Sequence, residues 1–482
     1  MDWLQAPDYW LARLVIERML GVIYFVAFLV AANQFRPLLG ERGLLPVPLF
    51  LTRVRFMDAP SLFHVRYSDP LLMAVAWGGM VLSLGVVVGL VDGAPQWVAI
   101  VVWFALWALY LSIVNVGQIF YSFGWETLLL EAGFLAIFLG AGPMVPAWPL
   151  ILLFRWLVFR VEFGAGLIKL RGDRCWRDLT CLYYHHETQP MPNPLSWFFH
   201  HLPKPLHRVE VLGNFFAQLV VPFFLFAPQP VASIAGLLIV LTQGWLVLSG
   251  NFSWLNFLTM TLAVSAFDDR ALSLVLPMHV PHLVLLPAWW QGLVIALTVL
   301  VVLMSYRPVR NLISRHQVMN TSFDPFHLVN TYGAFGSVTK VRYEIIVEGT
   351  ADVAVGEGGW RTYEFKGKPG DPRRLPRQYA PYHLRLDWLM WFAAMESPLH
   401  HRWFIAFLVK LLEGDRATLK LLRLNPFPDH PPAAVRANLY RYRFSSVGEW
   451  RKDHAWWVRE VVGDYLPALM LDPTGNPKRV RL

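Results

Sequence analysis

Three ionisable residues recur at seven-residue steps inside one apolar run, AWPLILLFRWLVFRVEFGAGLIKL (147–170): Arg155, Glu162 and Lys169. A seven-residue step falls about 20° short of two full helical turns, so the three line one helix face. Ionised groups in hydrocarbon are costly, turn toward the bundle interior and pair there. Glu162 is therefore expected to be the counter-ion of Arg155, Lys169 or both, with Glu126 and Glu131 of the preceding apolar run and Glu210 as further carboxylates. Lys169 ends the stripe at the membrane boundary, beside Gly164 and Gly166. A buried, neutral amine there could act as a base, with Glu162, His185 and His186 around it. The plainer reading is that the ion pairs fix helix register.

Directly after Lys169 comes LRGDRCWRDLTCLYYHHETQPMPNPLSWFFHHLPKPLHRVE (170–210), which gathers Cys175, Cys181, His185, His186, His200, His201 and His207. The prolines at 190, 192, 194, 203 and 205 make it extended or turn-like and stiff. These are ligand types, yet two Cys with five residues between them and paired His match no standard zinc pattern, so neither a metal nor a cofactor is expected. Cys175 and Cys181 close a short disulfide if the loop lies in an oxidising compartment and stay reduced if it is cytosolic. The sequence holds no serine-hydrolase elbow, P-loop or dinucleotide fingerprint.

The elements carrying these residues are membrane spans. Of 482 residues, 56% are hydrophobic and 16% charged, against roughly 25% charged in a soluble domain. Apolar windows of about 20 residues fall near 10–32, 70–91, 95–115, 117–141, 147–169, 208–227, 230–249, 251–267 and 283–305. The fold class is a polytopic α-helical membrane protein of about nine spans with a C-terminal α+β, strand-rich soluble domain. Residues 1–305 form the membrane domain, with polar loops 33–69 and 170–207, and residues 306–482 the soluble domain. Asp2 and Asp8 without Lys or Arg before the first run suggest a retained anchor, not a cleaved signal. With nine spans both polar loops and the tail share one face, which the positive-inside rule would call cytoplasmic.

The formal charge of +9 lies wholly beyond the last span: residues 1–305 hold 16 basic and 16 acidic residues, residues 306–482 hold 26 and 17. Basic residues alternating within strands suit anionic lipid headgroups better than nucleic acid, which is not an expected partner. TKVRYEIIVEG (339–349) sets Val341, Tyr343, Ile345 and Val347 against Lys340, Arg342, Glu344 and Glu348, a half-buried strand. NLYRYRF (438–444) puts Tyr440, Tyr442 and Phe444 on one face, and 384–395 and 398–413 read as helices. A transporter would account for the intramembrane charges, but no internal duplication is visible.

The strings GLIKLRGDRCWRDLTC (166–181), HHETQPMPNPLSWF (185–198), SGNFSWLNFLT (249–259), FDD (267–269), VNTYGAFGSVTKVRYEIIVEG (329–349), YEFKGKPGD (363–371) and HLRLDWLMWFAA (383–394) resemble the lipase maturation factor family over nearly the whole chain. The resemblance implies a membrane protein, in eukaryotes of the endoplasmic reticulum, that assists folding and assembly of secreted homodimeric lipases without known chemistry of its own. A bacterial relative would sit in the inner membrane. The tail, about 320 to 465, would be lumenal and bind the client, with Tyr343, Tyr382, Trp388 and Trp391 as candidate contacts. Gly172, Asp173, Arg174, Cys175, Trp176, Cys181, Glu187, Thr188, Gln189 and Pro190 would be the structural signature of the loop. A fainter similarity, AGLIKL with its charged turn and Trp (165–176), is to the reactive-lysine segment of vitamin K-dependent γ-carboxylases. It implies an enzymatic alternative with Lys169 as base.

Overall fold

Proline and glycine set many of the helix ends. A computed structural model describes residues 2–480. Helix α1 (Trp10–Leu39) stops at Gly40, whose N–H returns to the Arg36 carbonyl. Helix α2 (Asp69–Val87) begins at Ser68, whose hydroxyl accepts the Leu71 N–H, with Pro70 in its first turn. Helices α3 (Gln96–Val116), α4 (Gly124–Ala136) and α5 (Trp148–Arg171) follow. Next come α6 (Leu182–Thr188), α7 (Lys204–Leu219), α8 (Val231–Ser249), α9 (Leu255–Ala263) and α10 (Ala288–Met304). Pro149 and Pro205 occupy the first turns of α5 and α7, where a missing N–H leaves no helix bond unmade.

Among the described residues, six helical stretches are long and apolar enough to cross a bilayer: Pro7–Leu39, Asp69–Val87, Gln96–Val116, Lys204–Phe226, Val231–Ser249 and Ala288–Ile313. The other three apolar runs of the sequence differ from the expected spans. The fourth is broken into a short turn, Gln118–Phe120, and the 13-residue α4. The eighth yields the nine-residue α9 and a turn, Val264–Ala266. At 1.5 Å per residue neither helix reaches across about 30 Å of hydrocarbon. The fifth, α5, is long enough at 24 residues but carries Arg155, Arg160, Glu162, Lys169 and Arg171. These three helices sit at the centre of the body and are largely buried, whereas α7, α8 and α10 show apolar side chains such as Leu212, Leu241 and Val302 on the outside. The charged α5 and the two short helices are thus packed against longer apolar ones.

The polar loop is not extended. It folds into short helices, Arg174–Arg177, α6 and Ser196–His200, and its prolines fall between helices or in the first turn of α7, where they interrupt no ladder. The tail forms a five-stranded antiparallel sheet, order β2-β1-β3-β4-β5, from β1 (Arg342–Thr350), β2 (Arg361–Thr362), β3 (Ala434–Phe444), β4 (Trp457–Leu471) and β5 (Pro477–Arg479). Helices α11 (Arg385–Ala393) and α12 (Arg402–Leu412) pack on it. The alternation expected in β1 is corrected. Arg342 and Glu344 are buried and Tyr343 is exposed. Arg342 and Glu344 pair at 2.5 Å and Lys368 lies 3.1 Å from Glu344, a buried ion cluster that replaces the expected apolar face.

The tail also enters the helical body. Asn330 and Tyr332 lie beside α4, the Gln34 side chain of α1 bonds the main chain at His383 and Arg385, and Asn251 after α8 bonds the main chain at Arg377, Tyr379 and Ala380.

Candidate functional site

A cavity of about 860 Å³ opens where α5, α8 and the tail meet, and Glu162, Lys169, His185, Gln243, Trp388 and Trp391 are among its walls. A second, of about 410 Å³, shares Lys169 and His185 and adds His186, Glu210 and Trp245. Lys169 therefore borders both. Glu187 lines neither.

The three-residue stripe of α5 does face inward, but its members do not pair with one another. Glu162 accepts the Gln243 side-chain amide at 2.5 Å, and Gln243 in turn accepts from Asn256 at 2.9 Å. Lys169 Nζ donates to Asn214 Oδ1 and Gln218 Oε1, both at 2.9 Å, and lies 5.2 Å from the centre of the Trp176 ring. Arg155 donates to the Ser265 and Leu225 carbonyls, both at 2.9 Å, and rests on the rings of Tyr9 and Trp148. Seven residues of rise, about 10 Å along the helix, separate it from Glu162, so it meets different neighbours.

Nor do Glu126 and Glu131 serve Arg155 or Lys169. Glu131 is bonded by Arg160, a residue between the stripe positions, and by Tyr332 Oη at 2.7 Å and the Asn330 N–H at 3.0 Å. Glu126 pairs with Arg385 at 2.8 Å and accepts from the Tyr110 hydroxyl. Arg160 and Arg385 were the cations missed in sequence. Arg160 lies off the 7-residue period, and the partner of Arg385 is 259 residues away.

The loop residues are structural linchpins. Cys175 and Cys181 form a disulfide, Cα to Cα 4.8 Å. Asp173 accepts the Val338 N–H at 2.7 Å, Trp176 donates to the Phe335 carbonyl at 2.8 Å, and Gly172 lies against the Gly336 carbonyl. Glu187 accepts the Phe444 N–H at 2.7 Å. Gln189 donates to the Ser249 carbonyl at 2.9 Å, the Thr188 carbonyl accepts Trp391 Nε1–H at 2.8 Å, and Arg342 reaches the Gln189 and Pro190 carbonyls at 2.5 and 3.2 Å. Arg174 stands apart, exposed and paired with its helix neighbour Asp178. Burial pushes His185 down to about 4, so its imidazole is neutral at pH 7.

Residues 11–274 match the family described as Lipase maturation factor transmembrane domain, and residues 328–467 match Lipase maturation factor C-terminal domain. Lipase maturation factor 1 of Homo sapiens is 44% identical over 97% of this chain and 89% of its own length. That of Mus musculus is 44% identical with the same coverage. Lipase maturation factor 2 of Xenopus laevis is 29% identical over 96% of this chain and 83% of its own. The chain belongs to the lipase maturation factor family. No solved structure matches it.

The larger cavity draws its wall from both matched segments, Lys169 and Gln243 from one and Trp388 and Trp391 from the other. Of the four tail residues singled out in sequence, Tyr343 is exposed on β1, and Tyr382 accepts from Asn33 at 3.3 Å. Trp391 is tied to Thr188. Trp388 is buried against Phe123, Trp125 and His383, and presents no outer surface to a protein partner of a lipase maturation factor.

Proposed function

We propose that this chain is a membrane-embedded maturation factor that assists the folding and assembly of a secreted lipase, with the part beyond about residue 305 as its client-binding module. The observation that carries this is the 44% identity to lipase maturation factor 1 over 97% of the chain, which takes in helical body and tail alike. All nine apolar runs belong to one membrane body in this reading, the short α4 and α9 being held inside it by α5.

The client surface we favour is the outer edge of β4. Among the described residues, 458–464 pair with β3 on one side, while β5 pairs with 469–471 and the Val480 N–H bonds the Ala468 carbonyl. Val461 and Val462 on that stretch are 68% and 53% exposed. An open strand edge accepts a strand from another chain, and an incompletely folded client offers one. The disulfide at 175–181 supports an oxidising compartment for this face, such as the lumen of the endoplasmic reticulum.

The test is co-expression with a secreted homodimeric lipase in cells lacking their own maturation factor. Wild-type chain should raise secreted lipase activity, and a photocrosslinker at Val461 should capture the lipase. Unchanged lipase activity, with crosslinks to lipid alone, would overturn the proposal.

A second reading, a membrane enzyme using Lys169 as base, draws on the position of Lys169 at the border of both cavities. Against it stands the engagement of Nζ by Asn214, Gln218 and the Trp176 ring, a hold that suits a fixed donor. Lys169→Met that accumulates and folds normally yet loses activity would favour the enzyme; failure to accumulate would make Lys169 a strut.

A further inference from the structure

We propose that His186, His207 and Glu210 form a binding site for a divalent transition metal, zinc foremost, at the wall of the smaller cavity. His186 comes from α6, and His207 and Glu210 lie one turn apart on α7. One ligand atom from each lies within 4.8 Å of the others, and His207 Nδ1 is 3.6 Å from Glu210 Oε2. The edge of a tetrahedron around an ion with bonds of about 2.0–2.2 Å is only slightly shorter than that last distance. Modest side-chain rotation closes the rest.

Two orphaned rings make the site. His186 and His207 are each 1% exposed; neither ring nitrogen of His186 has a hydrogen-bond partner, nor does Nδ1 of His207. A buried imidazole with nothing to bond is costly and calls for an unseen partner, a water or an ion. With neither nitrogen of His186 engaged, a lone pair on its ring is free to coordinate. A proton shared between His207 and Glu210 would satisfy that pair but leave His186 as it is. A cation between the three gives each side chain a partner, through one nitrogen of each ring.

The groups behind the ligands are those a metal site needs. Trp245 Nε1–H donates to Glu210 Oε1 at 2.7 Å, which holds the carboxylate with Oε2 toward the histidines. His207 Nε2 lies 3.4 Å from the His200 carbonyl, which favours a proton there and a bare Nδ1 facing Glu210. Two imidazoles and one carboxylate suit zinc and its neighbours over calcium or magnesium. Three protein ligands leave a coordination position open, and His186 and Glu210 both border the cavity of about 410 Å³, so the open position faces space for a small ligand. The ion would also pin the loop helix α6 to α7.

The test uses the full chain without a polyhistidine tag, purified in detergent, loaded with zinc and desalted. Elemental analysis should find about one zinc per chain, the stoichiometry of a single three-ligand site. His186→Asn and Glu210→Gln should each lose it, while His201→Asn retains it. Wild type without bound zinc, or zinc retained in both ligand variants, overturns the site. Should the variants fail to accumulate, wild type stripped with chelator and reloaded with cobalt(II) decides. Visible bands of four- or five-coordinate cobalt support the site; the weak spectrum of the hexa-aquo ion overturns it.

Discussion

Arg385 Nη1 donates to Glu126 Oε1 at 2.8 Å, joining the tail to α4 through two side chains with no solvent exposure. The same guanidinium donates to the Phe120 carbonyl at 2.7 Å and stacks on the Tyr121 ring at 3.4 Å. Removing one member of such a pair strands the other as a bare buried charge, at a cost of about 3–5 kcal/mol. Arg385→Met should therefore lower the thermal midpoint sharply in detergent. The double variant Arg385→Met/Glu126→Gln removes both charges and should recover part of the loss. A double variant no more stable than the single one would show that the two residues do not act as a pair.

Gly172 is a steric hinge between loop and tail. A Cβ there would lie 2.1 Å from the Gly336 carbonyl oxygen and 2.8 Å from its carbon, main-chain atoms that cannot swing aside. Gly172→Ala should cost about 1–3 kcal/mol, the usual range for overpacking. Gly213 in α7 is the control, since a Cβ there meets nothing within 4 Å. Gly213→Ala should gain up to about 1 kcal/mol from helix propensity. Equal midpoints for the two alanine variants would refute the close approach.

His383 and Asp387 give the tail an acid response with opposed parts. Burial pushes His383 down to about 4, against the pull of Glu126 nearby. The unfolded chain protonates this histidine near 6.5, so stability falls by about 1.4 kcal/mol per pH unit from 6.5 down to 4 and is then level. Burial pushes Asp387 up to about 6, although it accepts the Gly367 N–H. Its contribution has the other sign: full below pH 3.8 and lost as pH rises through 6. The two slopes oppose one another between 4 and 6. Asp387→Asn should therefore steepen the fall of the thermal midpoint toward acid, and His383→Gln should flatten it. Parallel curves for wild type and both variants would contradict the assignment.

The legible part of the fold was whatever rests on local period. Six of the nine apolar runs are long apolar helices, β1 and β3 lie where alternation places them, and Lys169 with its loop borders the cavities. What stayed hidden depends on distant partners. Heptad spacing put Glu162 on the right face of α5, yet gave no means of seeing that Gln243 would meet it. Arg342 reads as the polar side of a strand, but its acceptors are carbonyls more than 150 residues away. The His186, His207 and Glu210 cluster escaped any motif because its first two ligands are separated by a folded stretch that only the turn after Ser196–His200 brings back.

Cys175 and Cys181 read from sequence as a disulfide in an oxidising compartment and as two thiols in a reducing one. The Thr180 and Cys181 N–H groups both donate to the Cys175 carbonyl, at 2.8 and 3.2 Å, a tight turn that brings the two residues together and closes the disulfide. When membranes from the native compartment are dissolved in denaturing detergent, maleimide-polyethylene glycol should add nothing until a reductant is supplied, and then two labels. The Cys175→Ser/Cys181→Ser variant should lose about 2 kcal/mol, the chain-entropy value for so short a loop. It should also loosen the neighbouring Trp176–Phe335 contact, readable as greater hydrogen exchange across 333–338. Labelling without reductant would place the loop on a reducing side, and with it the tail residues it holds. The proposed encounter with a secreted client would then lose its compartment, since Asp173, Trp176 and Gln189 bind loop, tail and helical body into one face.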